Sequence, residues 1–142
     1  MKTIPAEFLN VDLDLKSAAD PGLLLEVWGN RVVPLHIDRI GRRHWLRLSL
    51  SGQPTSPGQA ILRFCDLVRA LPGDARALWQ KAASREFDIG VQAGFESRAA
   101  EWVLEPKVLK AVAEVRGRLR VTVYSPLALV QEKERRLGRK AR

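Results

Sequence analysis

Apolar and polar residues alternate from Phe8 to Leu15, with Leu9, Val11, Leu13 and Leu15 on one side and Asn10, Asp12 and Asp14 on the other. A period of two predicts a half-buried strand. Asp20-Pro21 then reads as a helix start, a cap followed by Pro at the first helical position. The short helix carries Leu24, Val27 and Trp28 on one face and ends at Gly29-Asn30. Val32 to Ile40 and Arg43 to Ser51 predict two strands of a hairpin turning at Gly41-Arg42. A Pro- and Gly-rich loop from Ser51 to Gly58 follows. Ile61, Phe64, Cys65 and Val68 recur at helical spacing between Gln59 and Leu71, and Pro72-Gly73 stops that helix. Asp74 caps a further helix bearing Leu78 and Trp79.

Alternation returns at Phe87 to Gly94, and Ala99 to Leu104 is read as the hairpin partner of that strand. Pro106 opens a helix with Val108, Leu109, Val112 and Val115, and Leu119 to Tyr124 is a β-branched final strand. The predicted order is β-α-β-β-α-α-β-β-α-β. It suits an α+β fold, a two-layer sandwich of the split β-α-β type with an extra hairpin, mostly antiparallel and with helices on one face. Residues 1–126 form a single domain in this reading, and 127–142 a charged C-terminal helix or disordered tail. Glycines 90 and 94 mark a bulge or close packing on the sheet, since no Lys-Ser/Thr follows to make a phosphate loop.

If helices cover the apolar face, strand parity assigns the opposite face to Asn10, Asp12, Asp14, His36, Asp38, Trp45, Arg47, Ser49, Asp88, Gln92, Arg120, Thr122 and Tyr124. The plain expectation is a solvated face with cross-strand ion pairs. The sharper expectation is a binding surface made by Asp12, Asp14, His36, Asp38, Trp45, Arg47, Asp88, Arg120 and Tyr124. Its two large rings would be costly on a wet face unless covered or used.

Charge changes the picture less than its total suggests. The chain has 142 residues and a formal net charge of +8. Residues 131–142 hold six Lys/Arg against two Glu, so half of that excess lies in the last twelve residues. The Arg39, Arg42, Arg43, His44, Trp45 and Arg47 hairpin has the basic-and-aromatic composition that grips single-stranded nucleic acid. Asp12, Asp14, Asp38 and Asp88 on the same face would repel phosphates. Nucleic acid is therefore the lesser alternative, through the hairpin and the C-terminal tail.

Asp12 and Asp14 stand roughly 7 Å apart on one strand face, which invites a hard cation or split acid and base roles. A metal-assisted enzyme at Asp12/Asp14 is thus a further alternative, against the simpler expectation that Arg47 or Arg120 neutralises the pair. His36 and His44 have opposite parity and no partner at zinc-ligand spacing. Cys65, the only cysteine, lies on an apolar helix face and reads as a buried thiol. Ser56 and Ser125 both precede Pro and lie in no nucleophile elbow. No catalytic residue and no cofactor is assigned. The absence of an apolar leader or a long apolar run, with one cysteine, fits a cytoplasmic protein without a membrane segment.

Leu9 to Leu15, Phe87 to Gly94 and Val121 to Tyr124 resemble a pattern in small uncharacterised bacterial proteins, some of them similar to immunity proteins of toxin systems. The resemblance covers about three strands and brings no catalytic residues. It implies a bacterial origin and a non-enzymatic binding or protein-interaction role. Partners to expect are another protein, or a second copy through an edge strand.

Overall fold

The computed structural model describes residues 4–95 and 99–140 of the chain. Its elements are β1 (Glu7–Ser17), α1 (Gly22–Trp28), a 3-10 turn (Gly29–Arg31), β2 (Val32–Ile40), β3 (Arg43–Leu50), α2 (Pro57–Arg69), α3 (Gly73–Lys81), β4 (Ser84–Gln92), α4 (Pro106–Glu114), β5 (Arg118–Tyr124) and α5 (Pro126–Lys140). The fold is α+β. Five strands form one sheet in the order β2-β3-β1-β4-β5. Every pairing is antiparallel except β4–β5, which is parallel.

The sheet is built around its most strictly alternating strand. On β1, Val11, Leu13 and Leu15 are buried, and they share one cluster with Leu46, Leu48, Phe87, Ile89 and residues from α1 to α4. Helix α2 presents Ile61, Phe64, Cys65 and Val68 to this core, and its Ser56 hydroxyl accepts from the Gln59 N–H at 3.3 Å as an N-cap. The two buried indoles keep their N–H groups satisfied: Trp28 donates to the Leu67 carbonyl at 3.1 Å and Trp79 to the Val115 carbonyl at 3.0 Å. The β2–β3 turn gives Gly41 a φ of 62°, the positive value that a two-residue hairpin with Gly in first place requires. No helix among the described residues is long and apolar enough to cross a membrane.

Four expectations are corrected. The segment Ala99 to Leu104 is not a strand. Strand β4 already has β1 along one edge and β5 along the other, so no edge remains for a hairpin partner. Its extra hairpin is replaced by a β4–α4–β5 crossover, which parallel strands need. The register of β1 shifts between Phe8 and Asn10, and this bulge expels Leu9 and turns Phe8 toward the core. Gly90 lies opposite it: a Cβ there would come within 2.6 Å of Asn10 Oδ1. On α1, Leu24 and Trp28 are buried but Val27 is exposed. Asp74 does not cap α3: Pro72 holds that position without a side-chain bond, and Asp74 sits in the first turn.

Candidate functional site

Pairing registers bring all nine candidate residues to the face opposite the helices. Asp12 lies between Ser49 and Asp88, and Asp14 between Arg47 and Glu86. Across β2–β3, His36 faces Arg47 and Asp38 faces Trp45; across β4–β5, Asp88 faces Arg120 and Gln92 faces Tyr124.

The centre of this face is not wet. Asp12, Asp14, Glu86, Asp88 and Gln92 are all buried. Their cover is side-chain: the Arg47 guanidinium reaches Asp14 Oδ2 at 3.0 Å, Asp12 Oδ2 at 3.2 Å and Asp88 Oδ2 at 3.0 Å. Trp45 Nε1 donates to Asp14 Oδ1 at 2.6 Å, and Thr122 Oγ1 donates to Asp88 Oδ1 at 2.7 Å. One cation thus serves three carboxylates, leaving the cluster with an excess of negative charge. Burial pushes the Asp12 carboxyl up, against the pull of Arg47, and the neighbouring Asp88 and Asp14 push the same way. Burial alone would lower Arg47, but its three carboxylates outweigh that and hold it up.

A second ion-pair group adjoins the first. Arg120 turns from its register neighbour Asp88 to Glu86, with Nε 2.8 Å from Oε1, and Arg118 stands 3.8 Å from the same side chain. The His36 ring rests on Trp45 with centroids 4.2 Å apart, and its Nε2 is 3.4 Å from Asp38 Oδ2 without hydrogen-bond geometry. Tyr124 stands apart at the outer edge, half exposed, over the space left by Gly90.

This geometry leaves little room for chemistry on the face. The Arg47 guanidinium fills the space among the three Asp carboxylates where a cation would sit. Among the described residues no group of three or more His, Cys, Asp or Glu side chains is arranged to hold a metal ion. His44 lies on the other side of β3, opposite Ser17 of β1. Cys65 is buried, and burial pushes its thiol up to about 11, far from a reactive thiolate.

Sequence reasoning misses Glu86, because the alternation is read only from Phe87; extending it three residues back to Ser84 places Glu86 in line with Asp88. It also misses the exposed apolar edge. On β5, Val121 and Val123 are each 61 % exposed and Leu119 37 %. They continue, on the helix side, the row of Phe87, Ile89 and Val91 on β4. Beside them, Trp102 and Val103 complete an open groove of about 540 Å³. The opposite edge, β2, also exposes Ile37 and Ile40, but Pro34 and a register shift between Pro34 and His36 interrupt it.

Comparison with family models, curated proteins and solved structures found no match to this chain.

Proposed function

We propose that this chain is a non-enzymatic protein-interaction domain that works through the β5 edge and the apolar groove beside it. One observation carries the reading. Charged groups at the centre of the polar face are spent on one another, whereas Val121, Val123 and Val103 stand exposed along one continuous apolar edge. An unpaired strand edge offers backbone donors and acceptors for strand addition, and a flanking groove takes alternate side chains. A role like that of an immunity protein, binding a toxin, is one form of this reading and agrees with the resemblance of the three strands. The test is cross-linking in the native cell, comparing wild type with a Val121→Lys, Val123→Lys double variant. The expected result is cross-links that map to residues 119–124 and 102–103 and disappear in the folded variant. Cross-links that fall on other surfaces and persist in the variant overturn the proposal.

A second reading rests on α5, where Lys133, Arg135, Arg136 and Arg139 are exposed and only Arg136 has an ion-pair partner among the described residues, Glu132 at 2.8 Å. Such a helix would add non-specific nucleic-acid affinity that falls steeply with salt. No binding to DNA or RNA at about 50 mM salt, the favourable end of the range, removes this reading.

A further inference from the structure

We infer that the partner of the β5 edge is a second copy of this chain, paired β5 to β5 in antiparallel fashion about a two-fold axis at Val121. The inference rests on the interaction reading above and names its occupant. The Ala93 N–H donates to the Tyr124 carbonyl at 3.0 Å, so Tyr124 turns its carbonyl inward, toward β4. The β4–β5 register runs without a shift from Glu86↔Arg118 to Gln92↔Tyr124. Alternation along the strand therefore points the backbone groups of Arg120 and Thr122 inward with Tyr124, and those of Leu119, Val121 and Val123 outward.

Only outward-pointing residues can pair with a second strand. In an antiparallel ladder pairs that exchange both hydrogen bonds alternate with pairs that exchange none, and the first kind needs outward-pointing residues on both strands, so odd-numbered residues must meet odd-numbered residues. That parity keeps both helix layers on the same side and places apolar against apolar. With the axis at Val121, Val121 meets Val121 of the second copy and Leu119 meets Val123 of the second copy. On the polar side, Arg120 meets Thr122 and Arg118 meets Tyr124 of the second copy, so no like charges stand opposed. Centring on Arg120 would set two guanidinium groups face to face, and centring on Thr122 would pair Leu119 with Ser125. Like charges directly opposed are unfavourable in a sheet. Val121 is thus the register with no like charges directly opposed and a full apolar row.

The two sheet edges are unequal in a way that fits this. Edge β2 carries Pro34 and a bulge, two devices that block strand addition. Edge β5 has neither and is β-branched at Val121, Thr122 and Val123. The product is one ten-stranded sheet with helices α1 to α4 of both copies on one face.

Sedimentation velocity over a concentration series tests this with wild type, Val121→Lys, Val121→Pro and Ile37→Lys. Val121 is an exposed position with an outward N–H, so both of its variants keep every bond to β4, and circular dichroism checks that they fold. Wild type and Ile37→Lys are expected to dimerise. Val121→Lys is expected to weaken dimerisation about tenfold or more, two ammonium groups facing each other across the axis, and Val121→Pro to weaken it by deleting the central donors. A wild type that stays monomeric at all concentrations overturns self-pairing, as does a dimer broken by Ile37→Lys but not by the Val121 variants. The cross-linking experiment above is read separately: links from residues 119–124 to a different protein keep the interaction reading while self-pairing fails.

Discussion

Among the described residues Arg47 is the single cation that reaches the three buried carboxylates, so its removal has a predictable consequence. Replacing it by Met leaves Asp12, Asp14 and Asp88 without compensation, and breaking a buried ion pair costs about 3–5 kcal/mol. Urea unfolding of Arg47→Met at neutral pH is expected to show a loss of that order; a change under about 0.5 kcal/mol, typical of surface sites, contradicts the geometry. Asp12 behaves in the opposite sense. Its folded-state carboxyl is raised above its ordinary value, chiefly by burial. A raised acid binds its proton more readily in the folded state, so its contribution is favourable below the unfolded value and is lost as pH rises through the folded value. Asp12→Asn is therefore expected to be neutral to about 1 kcal/mol stabilising at pH 7, with that gain shrinking as the pH falls toward about 4. A variant destabilised at pH 7 and restored by acid sinks this assignment. Arg116 offers a third test. It ends α4 with φ 59° in the left-handed region, with Gly117 N–H bonded to the Val112 carbonyl at 2.9 Å. Glycine adopts this conformation without the Cβ penalty, so Arg116→Gly should raise stability by about 1 kcal/mol in thermal or urea unfolding. The pairing of Asp12 and Asp14 with Arg47 is legible in the alternation of two strands. That it is buried is not, because the cover comes from how Arg47 and Trp45 lie over neighbouring strands, which a pattern along one strand does not encode.

At the scale of elements, periodicity revealed most of the sheet. The β2–β3 hairpin, α2, α4 and β5 begin and end within about two residues of where caps, turns and alternation place them, an ordinary margin for such boundaries. What periodicity could not show was where a strand breaks its own alternation. Leu9 fits the apolar pattern of β1, yet the bulge makes it 39 % exposed while Phe8 packs on the core. The signal lies on another strand: Gly90 has no side chain, and the Asn10 side chain takes the space. A side-chain truncation pair measures this directly. Phe8→Ala is expected to cost about 2 kcal/mol, below the usual range for a fully buried Phe because Phe8 is only partly covered, and Leu9→Ala under about 1 kcal/mol. The reverse order would mean the register does not shift. The misread segment 99–104 fails for a different reason. Its composition suits a strand, but β4, the strand it would have to pair with in a hairpin, has β1 on one edge and β5 on the other, and edge occupancy is a property of the whole sheet.

At the scale of the molecule, the sheet order among the described residues leaves two strands paired on one side only, and amide exchange can read which hydrogen bonds each edge makes. Strands β3, β1 and β4 have ladder partners on both sides, so their amides belong to the slowest class, opening only with global unfolding. Strand β5 is expected to show alternation within one element. Amides of Arg120, Thr122 and Tyr124 point toward β4 and should be protected, whereas those of Leu119, Val121 and Val123 point away and should exchange quickly in dilute protein. Raising the protein concentration should slow the second set and leave the first unchanged, because strand pairing gives acceptors to the outward amides alone. Fast exchange throughout β5 would mean that the parallel pairing to β4 is not stable in solution. Slow exchange of Leu119, Val121 and Val123 at every dilution in a demonstrated monomer would mean that some segment of the same chain already covers the edge, and the apolar row of β5 would then be core rather than interface.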